Sequence, residues 1–131
     1  MQLVVTHDPD TRPALMVETC DRITPERVAA FKQALYGRGC AHGLLFDADQ
    51  ALILRDTFWS LDAEALVEDG RLPTDTVLSR ARGDSLDGRV RDWLARMTTS
   101  WADALPEDAD AAGALLYDIV PALIGARTLA A

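Results

Sequence analysis

The chain has 131 residues, 49% of them hydrophobic, with 21 acidic and 13 basic side chains and a formal net charge of −8. That length suits one domain with its own core, so neither disulfides nor a structural metal is required for folding, and two cysteines are too few for a disulfide scaffold. The charge is even, −4 in each half (1–65 and 66–131), with no cationic patch to displace the counterions of DNA or RNA and no apolar run long enough for a membrane helix.

The first ten residues, MQLVVTHDPD, lack the basic start, long apolar stretch and small-residue cleavage site of a signal peptide. A cytoplasmic protein with reduced thiols at Cys20 and Cys40 is the expectation. Lys32 is the only lysine beside twelve arginines and 21 alanines, which reads as the codon bias of a GC-rich bacterial genome. Gln2 to His7 and Ala14 to Cys20 are strand candidates around the turn signal HDPDTRP, and together predict an antiparallel hairpin. Thr24 as N-cap, Pro25 at the first helical position and Ile23 stapled onto Val28 predict a helix start. Val28, Phe31 and Leu35 face inward, and Gly37 and Gly39 end that helix.

His42 to Phe46 and Ala51 to Arg55 are apolar strands around the turn Asp47-Ala48-Asp49-Gln50. A single helix between strands implies a right-handed crossover, with 42–46 parallel to 14–20. Beyond Phe58 the period becomes helical. Residues 61–69 and 74–82 are expected as short helices. Val90, Trp93, Leu94, Met97, Trp101 and Leu105 form the stripe of a longer one, and Ala112 to Ile124 form another that Pro121 should kink. The short connection at Pro106 makes the last two antiparallel neighbours. The chain thus reads as α/β (or α+β) in one domain, 1–131. A β-β-α-β-β mixed sheet spans 1–58, and an antiparallel C-terminal helical pair lies within the helical half, 59–131.

The stretch ALMVETCDRITPERVAAFKQALYGRGCAHGLLFDADQALILRD resembles the restriction-endonuclease-like PD-(D/E)xK superfamily in order and pattern. The resemblance implies a divalent metal, Mg²⁺ or Mn²⁺, held by an acidic residue on the second hairpin strand and an aspartate on the first. A lysine two residues later would polarise the attacking water. Glu18 matches the acidic position and the metal ligand. Cys20 stands where lysine belongs, and a thiol supplies no positive charge. A symmetric hairpin turning about Asp10 and Thr11 places Leu3 opposite Glu18. It leaves Asp8 and Asp10 in the turn, roughly 15 Å away at about 3.3 Å per residue. Some relatives carry the lysine or a glutamine on the crossover helix. Lys32 and Gln33 match, with Tyr36 one residue short of a Gln-x-x-x-Tyr spacing.

Other constellations have ordinary readings. His7, Cys20, Cys40 and His42 have zinc-ligand chemistry, but the topology separates them, and Cys40-x-His42 alone supplies two ligands. Cys40 and His42 could meet as a thiol–imidazole pair, without any oxyanion-type sequence around them. Asp47, Asp49 and Asp56 lack the glycine and glutamate of a calcium loop. Trp93, Met97 and Trp101 share one helix face whose apolar surface exceeds what a four-stranded sheet needs, so they are the expected interface anchors of a homodimer. The functional expectation is a non-catalytic nuclease-like domain without a cofactor, acting as a protein-binding or assembly module. The alternatives are a metal-dependent nuclease, completed by a partner chain or by atypical ligands around Glu18 and Asp21, and a small acidic chaperone or immunity-type protein with a basic partner.

Overall fold

Strand-forming segments from both ends of the chain pair into one six-stranded mixed sheet, as seen in the computed structural model, which describes residues 1–8 and 12–130. The strands are β1 (Gln2–Thr6), β2 (Leu15–Thr19), β3 (His42–Phe46), β4 (Gln50–Asp56), β5 (Leu66–Pro73) and β6 (Arg127–Ala130), in the order β5-β4-β3-β2-β1-β6. β2 and β3 run parallel and every other pairing is antiparallel. The crossover between the parallel strands is α1 (Pro25–Gly37), where the Thr24 hydroxyl accepts the Arg27 N–H at 3.1 Å. α1 lies against β3 because residue 43 is glycine. A Cβ there would stand 2.7 Å from a Leu35 methyl and 2.8 Å from the Phe31 ring.

The two faces of the sheet carry separate apolar clusters. Val4, Met16, Leu45, Leu52 and Leu54 pack under Phe31 and Leu35 of α1. Leu3, Val5, Leu15, Val17, Leu44, Phe46 and Ile53 pack on the opposite face, under the C-terminal helices. These are α2 (Thr74–Val77), α3 (Leu86–Ala104), α4 (Ala109–Asp118) and α5 (Val120–Leu123). The result is a mixed α/β fold with helices on both faces of one sheet.

Several expectations need correction. Residues 61–69 are not a helix. A single 3₁₀ turn (Ala63–Ala65) leads into β5, an edge strand whose outer residues are mostly exposed and show no clean alternation. The 74–82 helix shrinks to the four residues of α2. The last expected helix is interrupted at Ile119, and it is α5, with Pro121 in its first turn, that packs on α3. Residues 127–130 form an unforeseen strand on the free edge of β1. The half expected to be purely helical therefore supplies both edges of the sheet.

That widening accounts for the surplus apolar stripe. Trp93 and Met97, expected at an interface, are each 1% exposed, and Trp93 meets the Phe46 ring edge-on at 5.9 Å. Trp101 is half-buried against the same cluster. Six strands absorb what four could not, so Trp93 and Met97 belong to the chain's own core, and Trp101 packs at its margin. The hairpin register also differs by one position, because Gln2, not Leu3, pairs with Glu18. The expected turn about Asp10 and Thr11 lies outside the described residues.

Candidate functional site

Glu18 sits near the end of β2, on the α1 face, between Gln2 of β1 and Leu45 of β3. The Gln2 side-chain amide donates to Glu18 Oε1 at 3.1 Å. One step beyond the strand, Cys20 is half-buried; burial raises its thiol pKa, and the nearby Arg27 guanidinium only partly opposes that. The cation acting on this position is therefore Arg27, in the first turn of α1, which sequence reasoning passed over in favour of Lys32. The clue was available: a helix that starts a few residues after a strand returns its first turn to that strand's end.

Asp21 is exposed on the rim of a shallow cleft of about 300 Å³ with Met1, Cys20 and Asp87. The Thr19 hydroxyl donates to Asp87 at 2.5 Å and ties β2 to the start of α3. Lys32 lines a different cleft, of about 440 Å³, with Ile23, Val28, Glu68 and Arg71, and Gln33 is exposed. Neither Glu18 nor Asp21 borders that cleft. The four candidate residues do not converge.

A Mg²⁺ or Mn²⁺ ion takes several oxygen ligands at about 2.1–2.6 Å. Here the partner facing Glu18 is an uncharged amide turned to donate to it, where the implied site needs a second carboxylate. Among the described residues no group of three or more His, Cys, Asp or Glu is arranged to hold a metal. The donor set does not fit the ion that the resemblance implies.

A second polar cluster lies at the opposite end of the sheet. His42 and Arg55 are cross-strand neighbours, and Arg55 reaches Asp69 at 3.5 Å. Asp69 is the extra residue of a β-bulge, since Ile53 pairs with Gly70 and Leu54 with Glu68. Asp118, at the end of α4, is 7% exposed and hydrogen-bonds to Asp69. Burial and the Asp69 charge push the Asp118 carboxyl up to about 6, while the same contact, with Arg55, holds Asp69 below the usual carboxylate range. Burial and the Arg55 charge lower the His42 pKa, which leaves the imidazole neutral at pH 7. Its Nδ1 has no hydrogen-bond partner among the described residues. Cys40 does not pair with this imidazole. Its thiol donates to the His42 carbonyl at 3.2 Å and packs in the α1 cluster, and burial raises its pKa.

Beside this cluster the β4–β5 connection presents large apolar side chains to solvent. Phe58 is 73% exposed, Trp59 65% and Leu61 93%, with Tyr36 at the end of α1 46% exposed beside them. The loop is tied at several points. The Thr57 N–H and hydroxyl both donate to the Ala65 carbonyl, at 2.9 and 2.7 Å. The Phe58 N–H donates to Asp56, Asp62 accepts from the Ser60 hydroxyl and the Glu64 N–H, and the Tyr36 hydroxyl donates to the Leu61 carbonyl. Phe58 has φ +59°, the one non-glycine in the left-handed region among the described residues. Phe58 and Tyr36 also line a cleft of about 660 Å³ with Arg12, His42, Asp56 and Pro121. Sequence reasoning missed this surface because it treated Phe58 only as a boundary. Comparison with protein-family models, curated proteins and solved structures finds no match for this chain.

Proposed function

We propose that this chain is a non-catalytic domain of nuclease-like pattern that serves as a protein-binding module. The observation carrying the reading is what faces Glu18: the Gln2 amide, a hydrogen-bond donor, at the position where a metal-dependent phosphodiesterase would present a second carboxylate. Cys20 at the lysine position and the separation of Lys32 from Glu18 support it. A phosphodiesterase also has to attract a polyanion, and the charge of −8 repels one. The exposed apolar loop supports association with protein, since large aromatics left in solvent mark contact surfaces more often than they stabilise a monomer.

Supercoiled plasmid DNA and single-stranded RNA, incubated with the purified chain in millimolar Mg²⁺ or Mn²⁺, should remain intact. Titration calorimetry with either ion should give no binding heat. Cleavage by the wild-type chain that disappears in Glu18→Ala would refute the reading, whatever the chain also binds.

A further inference from the structure

We infer that the tethered loop of residues 57–62, with Tyr36 beside it, is the docking surface, and that it fits a protein partner bearing an apolar pocket rimmed by Lys and Arg. The inference rests on the protein-binding reading and names the surface and the partner's chemistry.

Rigidity supplies the first support. A contact that orders a floppy loop forfeits part of its free energy to that ordering, whereas this loop is fixed by hydrogen bonds at Thr57, Phe58, Leu61 and Asp62 before any partner arrives. The bonds hold an aromatic residue at φ +59°, a conformation that most L-residues avoid, with its ring largely in water. With 73% of its surface exposed, Phe58 gains little packing among the described residues in return.

Size is the second. Aromatic side chains each bury roughly 150–250 Å² in a contact, so the exposed parts of Phe58 (73%), Trp59 (65%) and Tyr36 (46%), with Leu61, supply somewhat over half of the roughly 800 Å² per partner of a specific interface, and the flanking residues add the rim.

Charge selects the occupant. Asp56, Asp62 and Glu64 flank the apolar residues, no basic residue lies between Asp56 and Ala65, and the three carboxylates outnumber Arg12 in the cleft beside Phe58. A second copy of this chain would set those carboxylates against their equivalents across a two-fold axis, and a nucleic acid would add phosphates to them. A cationic rim around an apolar pocket pairs with them and speeds encounter.

The test places a photo-crosslinking benzoylphenylalanine at position 61 of the full chain, in cells of the organism that encodes it. The cross-linked protein is then purified and its affinity measured. The expected result is a partner whose cross-linked peptide lies in an apolar, Lys/Arg-rimmed region. Its Kd should weaken at least tenfold with Trp59→Ser and severalfold with Asp62→Asn combined with Glu64→Gln, and should weaken with added salt. Glu18→Gln, at the opposite end of the sheet, should leave the Kd unchanged. The paired charge variant covers the case in which Trp59→Ser misfolds. Cross-linking only to a second copy or to nucleic acid, no cross-link at all, or an affinity indifferent to these loop changes would each overturn the inference. Such failures would leave the absence of nuclease activity, measured separately, untouched.

Discussion

Phe58 is the residue whose backbone and side chain are hardest to reconcile with stability alone. The left-handed region costs a residue with a Cβ roughly 1–2 kcal/mol, and glycine occupies it without that penalty. With the ring 73% exposed, its removal loses little packing. Against this, glycine loses more chain entropy on folding, by roughly 0.5–1 kcal/mol. Phe58→Gly is therefore expected to leave stability unchanged or raise it by up to about 1 kcal/mol, read from the urea midpoint. A loss larger than about 1 kcal/mol would mean that the ring packs on the molecule and is not held out for a partner. The loop's tethers come from Asp56, Thr57 and Asp62, so they survive the substitution.

Among the elements, the β3–β4 turn does more than reverse the chain. Asp47 is 7% exposed, and its carboxylate accepts the N–H groups of Asp49 at 2.8 Å, Gln50 at 2.7 Å and Ile23 at 3.0 Å, the last belonging to the entry of α1. Its carbonyl accepts the buried Thr74 hydroxyl at 2.8 Å, which anchors α2. Burial pushes the carboxyl up, but the three backbone donors outweigh it and hold its pKa below the usual carboxylate range. A depressed folded pKa gives stability that is present above the ordinary value and lost as pH falls through the depressed one. Asp47→Ala strands those donors and should cost about 2–3 kcal/mol at pH 7. Its unfolding free energy should also lose part of the decline that the wild-type chain shows below about pH 4. Chemical denaturation at pH 7 and pH 3 checks both. The turn, the capped helix α1 and the parallel pairing of β2 with β3 were legible because each rests on local chemistry: Thr24-Pro25, paired aspartates, and one helix between two strands. β5 and β6 were not, because an edge strand is specified by the neighbour it pairs with, and its exposed residues carry little apolar alternation. The site shows the same division. The mismatch of Cys20 was visible in the sequence, whereas Gln2 opposite Glu18 depended on a one-residue register that the residues of neither strand specify by themselves.

Across the whole molecule, the helical layer meets the sheet at one end through a pair of carboxyl groups. Asp118 closes α4, Asp69 bulges from β5, and the groups facing them are Arg55 on β4 and His42 on β3. Below about pH 6 the Asp118 carboxyl holds its proton and can donate to the Asp69 carboxylate. Once both ionise, two negative charges meet where Asp118 is 7% exposed, and Arg55, reaching Asp69 at 3.5 Å, offsets only part of that. The Asp118 pKa is raised, so its contribution is fully present below about pH 3.8 and is lost as pH rises through about 6. Asp69 has the opposite sign, but its pKa is depressed, so it is already ionised across that window. His42 is held neutral in the upper part of the window and charges only as pH falls, which opposes the Asp118 contribution at the acid end. Between about pH 5 and pH 8 the unfolding free energy should therefore decline through this site by up to about 1.4 kcal/mol, the half that lies above pH 5 of the roughly 3 kcal/mol a two-unit pKa displacement supplies at 1.36 kcal/mol each. Asp118→Asn keeps a donor toward Asp69 and removes the ionisation. It should match the wild-type chain near pH 5, exceed it at pH 8 and flatten the difference between them. Urea titrations of both proteins at the two pH values decide it: equal slopes would show that the Asp69–Asp118 contact carries no proton linkage and that α4 is held by its apolar face alone.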